Sequence, residues 1–356
     1  MRRALFLART KARHTSPNPS VGAVLVKSGR IVGEGVTQPF GGAHAEVMAL
    51  KKAGARAKGA TLFVTLEPCC HHGKTPPCAK SVIQAGVKKV IAAMEDPFPL
   101  VKGKGFSLLE KSGILVKKGL FQKEAEKLNP FFFYSARHGR PWVILKSAIS
   151  RDGKIAPPPG KSKWITGAAA RRKVHEIRAR VDAILVGSKT AKEDNPSLTV
   201  RLPGFRRNDG WPLRVLLDST LKGSKNLKLF RGKPSAVIFT SLTAPRAKEK
   251  ALRKLGIQVF RVPLIKKMLS LKAVLKILQS LQVRSLLVEG GGEIHSSFLG
   301  EKLVNELVLF ISPKILGGKA LSWKGKNGIE NLEHVKGLKE ASFNQVGGDF
   351  MLTGRL

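Results

Sequence analysis

Outside one ten-residue stretch this 356-residue chain has no cysteine. Its three, Cys69, Cys70 and Cys78, lie beside His71 and His72. That clustering excludes a scaffold stapled by dispersed disulfides and points to a metal. Long apolar runs are missing too: nothing approaches the ~20 apolar residues of a membrane-spanning helix. The segment Met1 to Arg9 carries charge and some apolar character but no sustained apolar core. It reads as an amphipathic first helix with Leu5, Ala8 and Ala12 on one side, and the protein as cytoplasmic. Acidic residues are also scarce, with 24 Asp and Glu against 64 Lys and Arg, a formal net charge of +40.

Such a charge suggests nucleic acid as a partner, but its distribution argues otherwise. Residues 1–140 hold 24 basic and 8 acidic residues, a net of +16, and residues 141–356 hold 40 and 16, a net of +24. Both come to about +0.11 per residue, with no basic tail. The even spread fits a generally basic surface that attracts phosphorylated, anionic substrates. Hydrophobic residues at 42% and frequent Gly and Pro punctuation mark a globular α/β chain, long enough for two cores.

The first 140 residues alternate strand-like and helix-like segments. A hairpin is expected from Val21–Val26 and Ile31–Gly35 around Lys27–Arg30. A helix follows from Ala45 to Ala53 with Val47, Leu50 and Ala53 on one face, then a buried strand at Ala60–Leu66 ended by Pro68. Cys78–Ala85 reads as a helix closed by Gly86, and Val87–Ala93 as a strand. This βαβ pattern predicts a mostly parallel sheet. The pattern breaks near Gly139-Arg140-Pro141, so the predicted domains are 1–140 and 141–356. In the second, Pro157–Gly160 reads as a turn. Strands are expected at Trp142–Lys146, Ala183–Gly187, Leu213–Asp218, Ala236–Thr240, Ser285–Glu289 and Glu306–Ile311, and a helix at Ser270–Leu281.

Three features carry chemistry. His44-Ala45-Glu46 opens a helix, Pro68-Cys69 ends a strand, and Cys78 opens another helix. Two facing helix N-termini can hold one imidazole and two thiolates on a common metal, leaving the fourth tetrahedral position for water. Glu46, two residues past the histidine, reaches that water without ligating the metal and can carry its proton to a departing amine. This matches the zinc-deaminase signature H-x-E followed by P-C-x-x-C, except that eight residues, Cys70 to Pro77, separate the cysteines here. Cys70, His71 and His72 stay open as alternative ligands, His71 and His72 otherwise as lining of the substrate pocket. In the second half, Gly290-Gly291-Gly292 between a strand and a helix is either a tight turn or a phosphate-binding site.

The run Thr65–Cys78, with Pro17-Asn18-Pro19-Ser20-Val21-Gly22 and His44-Ala45-Glu46, resembles the bacterial bifunctional riboflavin-biosynthesis deaminase–reductases. So do Lys146 with Ser150–Lys154, Ser162–Thr166, and Asp194–Arg201, and the resemblance covers nearly the whole chain. It implies an N-terminal three-layer cytidine-deaminase-like domain and a C-terminal α/β domain like dihydrofolate reductase. It implies zinc on His44, Cys69 and Cys78, Glu46 as proton shuttle, and Asn18 and Lys74 on the substrate. In the second domain it implies NADPH against Trp164, Thr190, Asp194, Ser219 and the loop of Gly291, Gly292 and Glu293 to Ser297. The substrate would meet Ser162, Arg178, Leu198, Arg201 and Glu289, with Arg178 and Arg201 as phosphate clamps. Lys146 would partner the sugar and is the candidate proton donor. The implied function is deamination of a phosphoribosylated diaminopyrimidinone, then reduction of its ribosyl to ribityl. Homo-oligomerisation is left open. The alternative, an RNA-directed zinc deaminase, requires basic residues gathered at the zinc mouth and no coherent reductase half.

Overall fold

The computed structural model describes residues 1–12, 14–156, 165–205, 211–223, 226–232, 235–318, 320–323 and 337–356. The chain divides into two compact units, Met1–Arg140 and Pro141–Leu356.

The first unit runs α1 (Arg2–Lys11), β1 (Gly22–Lys27), β2 (Arg30–Val36), α2 (Ala45–Ala53), β3 (Thr61–Val64), α3 (Cys78–Gln84) and β4 (Lys89–Ala92). It continues through α4 (Lys104–Lys111), β5 (Leu115–Lys118), α5 (Gln122–Leu128) and α6 (Pro130–His138). The sheet order is β2-β1-β3-β4-β5. The expected mostly parallel sheet is in fact mixed: β1 pairs antiparallel with both β2 and β3, and only β3-β4-β5 is parallel. The hairpin reverses the chain, and the crossover through α2 returns it along the direction of β2, which sets β3 against β1.

Two glycine contacts decide how the helices meet this sheet. A Cβ on Gly22 would stand 1.9 Å from the Ala4 carbonyl of α1, and one on Gly35 would stand 2.1 Å from the Ala45 carbonyl of α2. Gly35 lies opposite Ala23 in the ladder, one residue along from Gly22, so α1 and α2 cover opposite faces. This close approach selects small residues. The buried stripe of α2 is Ala45, Ala49 and Ala53, joined by Glu46, while the expected Val47 and Leu50 are half-buried. In α1 the buried residues are Ala4, Leu5 and Ala8, and Ala12 is an exposed C-cap.

The second unit begins with β6 (Trp142–Ser150), β7 (Lys154–Ala156), α7 (Ala168–Arg178), β8 (Ala183–Gly187), α8 (Ser188–Asp194) and β9 (Leu213–Leu217). Next come β10 (Ala236–Ser241), α9 (Arg246–Lys254), β11 (Gln258–Val262), and the short pair β12 (Leu264–Ile265) and β13 (Met268–Leu269). It ends with α10 (Leu271–Ser280), β14 (Ser285–Val288), α11 (Gly292–Gly300), β15 (Glu306–Ser312), β16 (Leu321–Ser322), β17 (Lys339–Val346) and β18 (Asp349–Arg355). Among the described residues these build a nine-stranded sheet, β11-β10-β9-β8-β14-β6-β15-β18-β17. It is parallel from β11 to β15 and closes with two antiparallel ladders. The central strands are buried on both faces, as helix-covered parallel strands must be, with Leu145, Leu185, Val215, Phe239 and Leu286 in the core. Helix α10 is capped by the Ser270 hydroxyl, which accepts from Ala273 N–H at 3.4 Å. It buries Val274, Leu275 and Leu278. The turn expected at Pro157–Gly160 lies outside the described residues. No helix among the described residues is long and apolar enough to cross a membrane.

Candidate functional site

Three element ends converge in the first unit. His44 is the N-cap of α2, Cys69 follows β3, and Cys78 is the first residue of α3. Their ligand atoms all lie within 4.8 Å of one another. His44 Nδ1 is 3.1 Å from Cys78 Sγ and 3.6 Å from Cys69 Sγ. The backbone N–H of Cys78 donates to Cys69 Sγ at 3.4 Å, so the start of α3 favours negative charge there. Contact with Cys78 and His44 pulls the Cys69 thiol down to about 4, while the same contact and burial push Cys78 up. Two thiols beside an imidazole form a donor set that a divalent cation fits by displacing thiol protons, and one His with two Cys is a zinc set with an open position.

Glu46, the second residue of α2 and two past His44, is 4% exposed. Burial, then the neighbouring Cys69, pushes its carboxyl up to about 7. Asn18 is half-buried, its N–H donating to the Thr15 carbonyl. Lys74 is exposed, with Nζ 4.1 Å from the Phe40 ring centroid. Of the residues left open as ligands, Cys70 faces the Leu100 carbonyl at 3.8 Å, and the His71 ring lies 6.3 Å from that of Phe98. Neither they nor His72 belong to the metal-ligating group found among the described residues.

In the second unit the expected residues gather at the carboxyl ends of neighbouring parallel strands, where ligands of open α/β sheets bind. Thr190 and Asp194 lie on α8 after β8, Ser219 follows β9, and Gly291 is the N-cap of α11 after β14. A Cβ on Gly291 would stand 3.3 Å from Thr190 Oγ1, so these two segments touch. Gly292 and Glu293 form the first turn of α11. The Ser219 carbonyl accepts from Ser241 N–H at 3.2 Å. Trp164 and Ser162 lie outside the described residues.

The charged centre is Glu289, which receives Arg178 through Nε at 2.7 Å and Nη2 at 2.8 Å and Lys146 Nζ at 3.3 Å. Arg178 Nη1 donates to the Thr199 carbonyl at 3.1 Å. The fork expected on a phosphate pairs here with Glu289 and Thr199, a desolvated carboxylate being a good acceptor for a bidentate donor. Burial opposes ionisation of Glu289, but Arg178 and Lys146 hold it well below the usual carboxylate range. Arg201 instead faces His175, with its Nε 3.4 Å from His175 Nε2. Leu198 is buried with a left-handed backbone, φ 50°.

Sequence reasoning missed Glu67, and it singled out no role for His295 within the expected Gly291–Ser297 segment. Glu67, within the Thr65–Cys78 run, is buried and gathers four backbone N–H groups. His295 on α11 is 2% exposed, with Nδ1 3.0 Å from the Trp323 carbonyl. Burial lowers its pKa to about 4. The motif position of Glu67 was a usable signal, and His295 lies inside the Gly291–Ser297 segment expected at the dinucleotide.

Comparison with known proteins matches both halves. The cytidine and deoxycytidylate deaminase zinc-binding region matches residues 1–94, and the RibD C-terminal domain matches residues 141–352. The riboflavin biosynthesis protein RibD of Bacillus amyloliquefaciens is 43% identical over 355 residues, covering 99% of this chain and 94% of that protein. The chain belongs to the RibD family. Its relative in Escherichia coli K12 is 39% identical, over 99% of this chain and 97% of that one. Among solved structures, RibD of Acinetobacter baumannii superposes with a TM-score of 0.90 at 35% identity, covering 100% of this chain and 97% of that chain. A diaminohydroxyphosphoribosylaminopyrimidine deaminase/5-amino-6-(5-phosphoribosylamino)uracil reductase from Thermotoga maritima gives 0.80 at 37%, with the same coverage. The expected architecture, a cytidine-deaminase-like domain followed by a RibD-type reductase domain, is the one found. The RNA-directed alternative required a chain without a coherent second half, and RibD membership over the full length removes it.

Proposed function

We propose that this protein catalyses two consecutive steps of riboflavin biosynthesis, with residues 1–140 as deaminase and 141–356 as reductase. The first removes the amino group of 2,5-diamino-6-(5-phosphoribosylamino)pyrimidin-4-one, and the second reduces the ribosyl to a ribityl chain. The observation that carries the reading is one imidazole and two thiols within 4.8 Å of each other, with a buried glutamate two residues past that histidine.

His44, Cys69 and Cys78 hold zinc, which when bound supplies the Lewis acidity that makes water a nucleophile near neutral pH. Glu46 takes a proton from the attacking water and returns it to the amino group, so a C–N bond breaks as a C–O bond forms and ammonia leaves. Asn18 and Lys74 orient the ring and its phosphorylated sugar. In the second unit bound NADPH would supply the hydride. Thr190, Asp194, Ser219 and the Gly291–Glu293 turn would seat it, and Trp164 is assigned to it on its sequence motif alone. Glu289 fixes Arg178 and Lys146 on the substrate side; Lys146 Nζ is the candidate donor to the sugar oxygen that gains a proton. Leu198 and Arg201 complete that side, and Ser162 is assigned to the substrate on its sequence motif alone. The substrates are anionic small molecules, which suits the basic chain, and we place the enzyme in the cytoplasm, where thiols stay reduced.

Glu46→Gln tests the assignment. The variant keeps zinc and loses ammonia release, while NADPH oxidation on already deaminated substrate continues. Loss of both activities together, with zinc retained, contradicts two independent sites.

A further inference from the structure

The deaminase reading leaves one buried carboxylate unused. Glu67 sits two residues before Cys69, is 3% exposed, and has no basic partner among the described residues. Its Oε2 accepts from the N–H groups of Asp96 at 3.1 Å and Gly103 at 3.0 Å. Its Oε1 accepts from Gly105 at 2.8 Å and Phe106 at 3.2 Å. Gly105 and Phe106 are in the first turn of α4, which has no acidic residue of its own there. Glu67 therefore caps α4 from the loop after β3 and ties both ends of the 96–106 segment to the stem of the metal-ligand loop.

The fit is tight on the other side as well. A Cβ on Gly105 would stand 2.1 Å from the Pro68 carbonyl. Beyond the anchor, the tip of the same segment reaches the loop between the two cysteines. The Phe98 ring lies 6.3 Å from that of His71, and the Leu100 carbonyl accepts from Cys70 Sγ at 3.8 Å. Cys70 and His71, at the start of the loop between Cys69 and Cys78, thus lean on a segment whose place Glu67 sets.

Resting on the deaminase reading, we propose that Glu67 is a positioning residue for substrate binding. It pins residues 96–106 against the inter-cysteine loop, so that this segment is a wall of the pyrimidine pocket. It acts without touching the metal or the reacting atoms. Both oxygens of Glu67 are acceptors for two N–H groups each, so no orientation of a glutamine amide satisfies all four: its NH2 must face two donors. Glu67→Gln is therefore a near-isosteric way to release the segment.

The test uses the full chain, with zinc counted per protein and reductase turnover on deaminated substrate as an internal control. Glu67→Gln is expected to keep its zinc and its reductase rate and to raise the deaminase KM about tenfold or more, with kcat changing less, as lost binding energy requires. Phe98→Ala, a half-exposed change at the segment's tip, is expected to raise the same KM about threefold or more at unchanged stability. If Glu67→Gln does not fold, Phe98→Ala decides alone. Wild-type KM in the folded variants overturns the proposal, as does zinc loss in step with activity in Glu67→Gln together with wild-type KM in Phe98→Ala. Wild-type protein that holds zinc and releases no ammonia counts instead against the deaminase reading.

Discussion

Arg178 and Glu289, 111 residues apart, meet as a two-nitrogen fork on a buried carboxylate, at 2.7 and 2.8 Å. Lys146 closes the cluster from β6, and all three side chains are largely buried. A carboxylate shared by two cations inside a protein is costly to break from either side. Glu289→Ala leaves Arg178 and Lys146 buried without a counter-charge and should destabilise the second unit by about 3–5 kcal/mol. Lys173→Ala, which removes the exposed pair with Glu176, should cost about 0–1 kcal/mol. Every tryptophan, Trp142, Trp164, Trp211 and Trp323, lies in residues 141–356, so denaturation followed by tryptophan fluorescence reads this unit alone. Equal effects of the two substitutions would contradict the account.

The same fluorescence reports pH dependence. Burial lowers His175 and His295 to about 4, against roughly 6.5 in an unfolded chain. Below that unfolded value the unfolded state takes up protons first, so stability is complete above about pH 6.5 and falls towards pH 4. Glu289, depressed in the fold, adds a further loss as pH drops below the unfolded carboxylate value. The second unit should melt at lower temperature at pH 5 than at pH 7.5, and His295→Gln should narrow the difference. A higher melting temperature at pH 5 would be inconsistent with these buried neutral imidazoles.

Packing around α2 makes a prediction at a distance from the metal. A methyl group on Gly35 meets the Ala45 carbonyl, the residue after His44. Gly35→Ala should therefore push α2 outward, cost about 1–3 kcal/mol by overpacking, and weaken zinc retention without altering any ligand. Zinc titration against a colorimetric chelator checks this. Retention equal to wild type would mean that the ligand geometry does not depend on that helix contact.

Metal removal separates the two reactions. Dialysis against a chelator should abolish ammonia release and leave NADPH oxidation on deaminated substrate at its original rate, with zinc restoring the first. A reductase rate that falls in parallel would place the metal in both activities.

The local elements were legible where chemistry is local. The bounds of α2, Ala45 to Ala53, follow from the residues that flank it, and the turn at Lys27–Arg30 from its Ser-Gly pair. The ligand set was legible because the two helix starts and the strand end are each marked by a residue type with few other uses. The mixed direction of the first sheet was not, since periodicity carries no information about which strand lies beside which. The hairpin of β17 and β18 was missed because β17 is exposed along most of its length and shows no alternation. Partnerships across long separations were equally hidden. Nothing near Arg178 announces Glu289, and nothing near Glu67 announces the N–H groups of residues 96–106.

The central claim is that one chain performs both reactions in sequence. The most direct measurement gives zinc-loaded protein the phosphoribosylated diaminopyrimidinone with NADPH and follows ammonia and the cofactor's absorbance together. The account predicts ammonia release that begins first, followed by loss of NADPH approaching one equivalent per ammonia. NADPH consumed without ammonia, or ammonia released with NADPH untouched, would contradict it.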